Sequence, residues 1–263
     1  MKTTSRPMTT RLTQPMRGAM LGVFIASFVA CTTPDGQGTT RGSLDALPCW
    51  QGAFDLEPDF FGTQPYKSSV MFRIQRSSDN ANFSDGLALV VEDIEKVKSS
   101  LGIPLLVTLP PEVTPAGVPI KPEADPGNVH LSLYLLRTCK TQNVTLHAVR
   151  EVSFDGVGTE CDANANANTN ANGELVDPAC QSAPFSTTAR GDGKSRIVFH
   201  SIFAGDTATL DSEPRRTRGC FDVYLAEPRE VNATTLAPPR CRGHLRGTFD
   251  FLYRRSKPSQ PFP

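Results

Sequence analysis

The sequence predicts an all-β fold, a mainly antiparallel β-sandwich with one short helix and long loops. Three observations point there. At least seven separate stretches read as strands, and six of them alternate apolar and polar residues at period two, the pattern of strands half buried against a core. Helical periodicity is confined to one short stretch. Glycine and proline number 20 and 22 among 263 residues, above the roughly 12% of average usage, which favours turns over long helices.

The first element is not part of that fold. Lys2, Arg6, Arg11 and Arg17 precede an uncharged run over residues 18–30 that stops at Cys31. A basic segment, a short apolar segment and small residues at a cleavage point make a secretory signal. The apolar run is too short to span a bilayer, which takes about 20 residues. Phe28-Val29-Ala30-Cys31 resembles the lipobox of bacterial lipoproteins cut by signal peptidase II, with Phe28 where these signals usually carry Leu. The resemblance covers targeting alone. It implies that Cys31 becomes the lipidated N-terminus and that several acyl chains anchor it. Thr32, not Asp, follows the cysteine, which in that family points to the outer membrane. Met1, Met8 and Met16 are alternative starts for this leader.

Residues 32–48 are polar, aperiodic and rich in Gly and Thr, and are expected to be a flexible tether. As a coil, such a length spans roughly 20–25 Å root-mean-square. The domain plan is thus a signal over 1–30, a lipid-anchored tether over 31–48 and one β-sandwich over 49–263. That domain carries a low-complexity loop at 162–179.

Within the domain the strands follow in order. Trp50, Gly52, Phe54 and Leu56 share one face; Val70, Phe72 and Ile74 share the next. Ile94, Val97 and Leu101 lie on one helical stripe over residues 92–101, with Gly102 at the expected stop. Seven prolines over residues 104–126 predict an extended loop or edge segment, because proline cannot donate to a sheet ladder. Val129, Leu131, Leu133 and Leu135 alternate next, then Val144, Leu146 and Ala148, with Arg150 breaking the parity at a bulge or strand end. Residues 197–203 are apolar on both parities, as in a buried strand. Phe221, Val223 and Leu225, then Leu245, Phe249, Phe251 and Tyr253, complete the set. Residues 50–56 (WQGAFDL) echo residues 245–251 (LRGTFDF), as two core strands with similar demands.

Six cysteines follow Cys31: Cys49, Cys139, Cys161, Cys180, Cys220 and Cys241. An even count in an exported chain predicts up to three disulfides, and the connectivity is open. Local pairing would join Cys161 to Cys180 and Cys220 to Cys241, leaving Cys49 for Cys139. No pair has the two-residue spacing of a zinc ribbon.

Charge and motifs narrow the function. The chain holds 27 basic and 27 acidic residues; without the four basic leader residues it holds 23 against 27, a net charge near −4. That offers nucleic acid no electrostatic partner. Asp162, Asn164 and Asn166 match the first three ligand positions of a calcium loop. Ala167 replaces the turn glycine and Gly173 the bidentate glutamate, so a solvated loop is the expectation and calcium a weak candidate. Gly193-Lys194-Ser195 lacks the leading glycine and the following helix of a phosphate-binding loop. His130 and His147 lie on the polar parity of their strands and would meet at a metal only if those strands pair. No serine sits in a nucleophile elbow. The expected function is therefore a lipid-anchored, non-enzymatic envelope protein acting as a structural or interaction module. It would use no cofactor and would touch the membrane through its anchor and an envelope protein or glycan as partner. A glycan- or calcium-binding module is the alternative. A hydrolase with a site assembled from distant strands comes third.

Overall fold

A computed structural model describes residues 36–76, 84–110, 128–142, 144–154, 161, 193–203, 216–230 and 237–252. The signal segment, the calcium-loop candidates Asp162, Asn164 and Asn166, and Cys31 and Cys180 lie outside these residues.

The fold is all-β. Its strands are β1 (Gly36–Ala46), β2 (Trp50–Asp55), β3 (Phe60–Tyr66), β4 (Ser69–Gln75), β5 (Asp85–Val91), β6 (Leu105–Thr108), β7 (Val129–Leu135), β8 (Val144–Ala148), β9 (Arg196–Ser201), β10 (Arg216–Ala226) and β11 (Gly243–Leu252). All eleven belong to one sheet, in the order β2-β1-β11-β10-β9-β6-β7-β5-β4-β3. Strand β8 pairs off this path with both β10 and β7. It meets β10 at Leu225 and Ala226 and β7 over Ser132–Leu135. The gap between β10 and β7 is thus filled by β9 and β6 along one part and by β8 along another. The β6–β7 pair is parallel; the other named pairs are antiparallel.

The two layers of the sandwich are arms of this one sheet. The ring of Phe61 on β3 stacks on Phe251 of β11 at 5.4 Å, and Phe72 of β4 meets the same ring edge-on at 5.6 Å. The core between the arms takes the predicted parities: Phe72 and Ile74, Leu131 and Leu133, Phe221 and Val223, Leu245 and Phe249 are all buried. Leu87, Leu89 and Val91 of β5 join them. Removing such side chains from water is the main stabilising term, at about 25 cal/mol per Å² of apolar area.

The structure corrects four expectations. Residues 36–46, expected as tether, form β1, which lies between β2 and β11 and pairs with both along its length. Its core-facing positions are Gly36, Gly38, Thr40, Gly42, Leu44 and Ala46. Small residues are required at the first of these: a β-carbon on Gly36 would come within 2.8 Å of the Phe61 ring. The proline-rich stretch contains β6, an interior strand between β9 and β7. The helix is shorter than its stripe, Ile94–Lys98, and Leu101 is exposed. Asp93 caps it by accepting from the Glu95 and Lys96 N–H groups at 3.0 and 3.2 Å, and Val97 is its one fully buried residue. Gly102 then turns the chain with φ +77°, a conformation that suits glycine.

The fourth correction concerns the disulfides. Cys49 bonds Cys139, as elimination suggested, with a Cα–Cα separation of 5.5 Å. Cys161 bonds Cys241, not Cys180, at 6.3 Å. Cys220 is therefore not paired with Cys241, although it too is disulfide-bonded. Both described bridges join distant parts of the chain, 90 and 80 residues apart. Topology brings the ends together, so proximity in sequence is no guide.

Candidate functional site

The chemistry-bearing side chains gather on the side of the sheet away from the core. On β10, Phe221, Val223 and Leu225 enter the core, which turns Asp222 and Tyr224 to the other face. On β11, Leu245 enters the core, and His244 and Arg246 share the face of Asp222. Asp222, Tyr224, His244 and Arg246 are nonetheless buried. Asp222 divides its carboxylate between two basic side chains of β11. One oxygen lies 2.5 Å from His244 Nε2, and the other accepts from Arg246 Nε at 3.0 Å. The His244 ring lies flat on Tyr224, centroids 4.2 Å apart and planes 5° from parallel.

Tyr224 is held in turn by Ser195. Its N–H donates to Ser195 Oγ at 2.9 Å, and that hydroxyl reaches the Tyr224 carbonyl at 3.3 Å. Phe154 packs edge-on against the tyrosine ring at 5.8 Å. Val149, Val152, Cys161, Tyr224, Ala226 and Cys241 form a second, smaller apolar cluster here. The Cys161–Cys241 bridge lies inside it.

A second polar group lies farther along the same face. The cross-strand row runs from Arg73 on β4 through Ala88 and Ser132 to His147 on β8. Arg73, Ser132 and His147 are buried. Ser132 Oγ and His147 Nδ1 are 2.8 Å apart. Burial lowers the His147 pKa to about 4, because a low-dielectric site disfavours the imidazolium. Strands β7 and β8 do pair, but the register sets His147 opposite Ser132, not His130. His130 bonds instead to Thr108 of β6, its Nδ1 lying 3.2 Å from the hydroxyl and 3.1 Å from the carbonyl. Each ring is thus engaged by a hydroxyl on a neighbouring strand, Thr108 for His130 and Ser132 for His147. Among the described residues, no three His, Cys, Asp or Glu side chains converge as metal ligands.

A third network ties the ends of the strands together. Arg242 donates to Glu230 from Nε at 2.9 Å and reaches Asp45 at 3.2 Å; Arg240 lies 3.5 Å from the same Asp45 oxygen. Glu230 ends the 3-10 turn Pro228–Glu230. The connection from β10 to β11 is thereby fastened to β1.

These arrangements hold strands. Both oxygens of Asp222 are engaged by groups on β11, and Ser195 closes a loop with Tyr224. Ser132 and His147 have the spacing of a nucleophile and its base, yet a base needs a pKa near the working pH. Burial holds the His147 pKa well below that, at about 4. The parity of β10 and β11 marked Asp222, His244 and Arg246 as facing away from the core. Nothing in it revealed that this second face is also buried. Cys49, Cys139, Cys161 and Cys241 sit in the bridges described above. Comparison with protein-family models, with curated proteins and with solved structures finds no match to this chain.

Proposed function

We propose that the protein is a lipid-anchored component of the bacterial cell envelope whose β domain is a non-enzymatic structural or interaction module. Its address would be the outer membrane, reached through lipidation of Cys31. The observation that carries this reading is the pair of long-range disulfides in a chain with an export-type leader. Disulfides persist in oxidising compartments such as the periplasm and the cell surface, where that leader would deliver the domain. The polar side chains support the non-enzymatic half. The Asp222, Ser195 and Arg242 groups are spent on neighbouring strands, and His147 is held as a weak base.

Fractionation and protease shaving of intact cells test it. Wild type is expected with the membranes and Cys31→Ala in the soluble fraction. A Cys31→Ala protein anchored as firmly as wild type would overturn the lipid anchor. Covalent labelling of Ser132 by a fluorophosphonate would overturn the non-enzymatic assignment. Digestion of wild type from outside the cell directs the search to surface adhesion or glycan partners. Protection until the outer membrane is opened directs it to periplasmic assembly partners.

A further inference from the structure

The two described disulfides differ in how far a solvent thiol can reach them. Cys161 and Cys241 are buried within the small apolar cluster around Tyr224, at 4% and 8% exposure. Cys139 is buried as well, at 2%. Its partner Cys49 is only partly buried, and among the described cysteines it alone is not buried. It sits in the turn between β1 and β2, beside the exposed Leu47. Thiol–disulfide exchange begins with a thiolate reaching one sulfur of the bridge, so partial access at Cys49 opens a route that Cys161–Cys241 lacks.

The bridge also joins parts of the fold that the sheet leaves apart. The Cys49 N–H donates to the Ala46 carbonyl at 3.0 Å, at the end of β1. Cys139 lies in the turn between β7 and β8, its N–H donating to the Leu135 carbonyl at 3.0 Å. These two hairpins are not neighbours in the strand order. Each is closed by its own ladder, Ala46 with Trp50 and Leu135 with Val144. Strand β1 is held besides by β11 and by Arg242 on Asp45. Cutting the S–S bond therefore removes the link between the two turns and leaves both hairpins paired.

Trp50 supplies an independent observation. It follows Cys49 and, like it, packs on the main core. Its indole N–H is buried and has no hydrogen-bond partner among the described residues. A buried donor without an acceptor costs the closed arrangement free energy, and water admitted between parted turns would remove that cost.

We propose that Cys49–Cys139 is a reducible clasp, opened by a dithiol reductant, and that Cys161–Cys241 is a permanent structural bridge. One thiolate of the reductant attacks the Cys49 sulfur. The S–S bond breaks, a mixed disulfide forms on Cys49, and Cys139 leaves as a thiolate that takes a proton from water. The second thiolate of the reductant then attacks its own partner sulfur in the mixed disulfide and releases Cys49. Two electrons pass to the bridge, which ends as two thiols, and the reductant ends as a disulfide. Opening parts the two turns and lets water reach Trp50. None of this depends on lipidation of Cys31.

The lone tryptophan makes the opening visible. The folded, oxidised protein is treated with dithiothreitol under native conditions, freed thiols are trapped with iodoacetamide, and each cysteine is scored over time by peptide mass spectrometry. Trapping severalfold faster at Cys49 and Cys139 than at Cys161 and Cys241 is expected. Trp50 emission should rise and shift to the red in step, because a disulfide quenches a neighbouring indole and water lowers its emission energy, while circular dichroism retains the sheet signal. A Cys49→Ser, Cys139→Ser double variant should show the emission of the reduced protein without reductant. Equal trapping at the two bridges, or faster trapping at Cys161 and Cys241, overturns the assignment of the clasp. Reduction of Cys49–Cys139 with no change at Trp50, or with loss of the sheet signal, overturns the local opening. Both readings come from the wild-type protein, so they stand even if the double variant does not fold.

Discussion

His147 shows how a single buried side chain turns pH into stability. Its imidazole is neutral in the folded protein, with a pKa lowered to about 4 by burial, and returns to about 6.5 when the chain unfolds. Between those values the unfolded state binds the proton and the folded state does not. Stability therefore rises with pH across this window: the contribution is complete above pH 6.5 and is lost as pH falls towards 4. The full swing is about 3 kcal/mol, at 1.36 kcal/mol per pKa unit. Denaturant unfolding at a series of pH values should show a steeper loss in wild type than in His147→Asn, which has no such proton to bind. Parallel profiles for the two proteins would show that water reaches the ring. The sequence displayed the parity of His147 but not its burial. What covers the outer face of a sheet depends on segments remote in sequence, and alternation along one strand is blind to them. His130 illustrates the same limit. Its strand and parity were legible, whereas its Thr108 partner comes from β6, a strand hidden in a proline-rich stretch.

At the scale of elements, glycine was the most misleading letter. Three glycines in β1 resemble linker composition, yet each is paired in register with a phenylalanine on a neighbouring strand: Gly36 with Phe251, Gly38 with Phe249, Gly42 with Phe54. The repeated pattern of residues 50–56 and 245–251 has its physical reason here. Strands β2 and β11 flank β1, and the phenylalanine of each repeat, Phe54 and Phe249, is paired with a glycine of β1. Between β10 and β11 the relation recurs with Gly219 opposite Phe249 and Phe221 opposite Gly247. On the other face of those two strands, Asp222 joins β10 to His244 and Arg246 of β11. Breaking a buried ion pair by removing one partner is costly, because the remaining charge stays buried without it. Asp222→Ala is expected to lower stability by roughly 3–5 kcal/mol, and replacing Arg246 with Leu in the same protein should recover part of that loss. Chemical denaturation of the single and double variants measures both. A cost below about 1 kcal/mol for Asp222→Ala would mean that the pair behaves as a solvated surface bridge.

The whole molecule depends on its first strand. Seven strands, the helix position and one disulfide were legible because they follow from local alternation, from an apolar run or from counting. The closure of the sheet was not, because it joins residue 36 to residue 251 and residue 161 to residue 241, and such pairings leave no local mark. Composition alone places the domain boundary at residue 49, after β1. The register places it at or before Gly36, since β1 supplies hydrogen-bonding partners to β2 on one side and β11 on the other. A chain beginning at residue 49 would lose the strand that links β2 to the sheet. It would also bare the edge of β11 and the rings of Phe54, Phe249 and Phe251, exposing unpaired backbone and apolar surface that invite aggregation. A chain beginning at residue 34 would keep every described pairing. Thermal unfolding followed by circular dichroism separates the two: a single cooperative transition is expected for residues 34–263, and its loss, with aggregation, for residues 49–263. Equal transitions in both chains would mean that β1 is dispensable. Residues 32–48 would then be free to act as the long tether that their composition suggests.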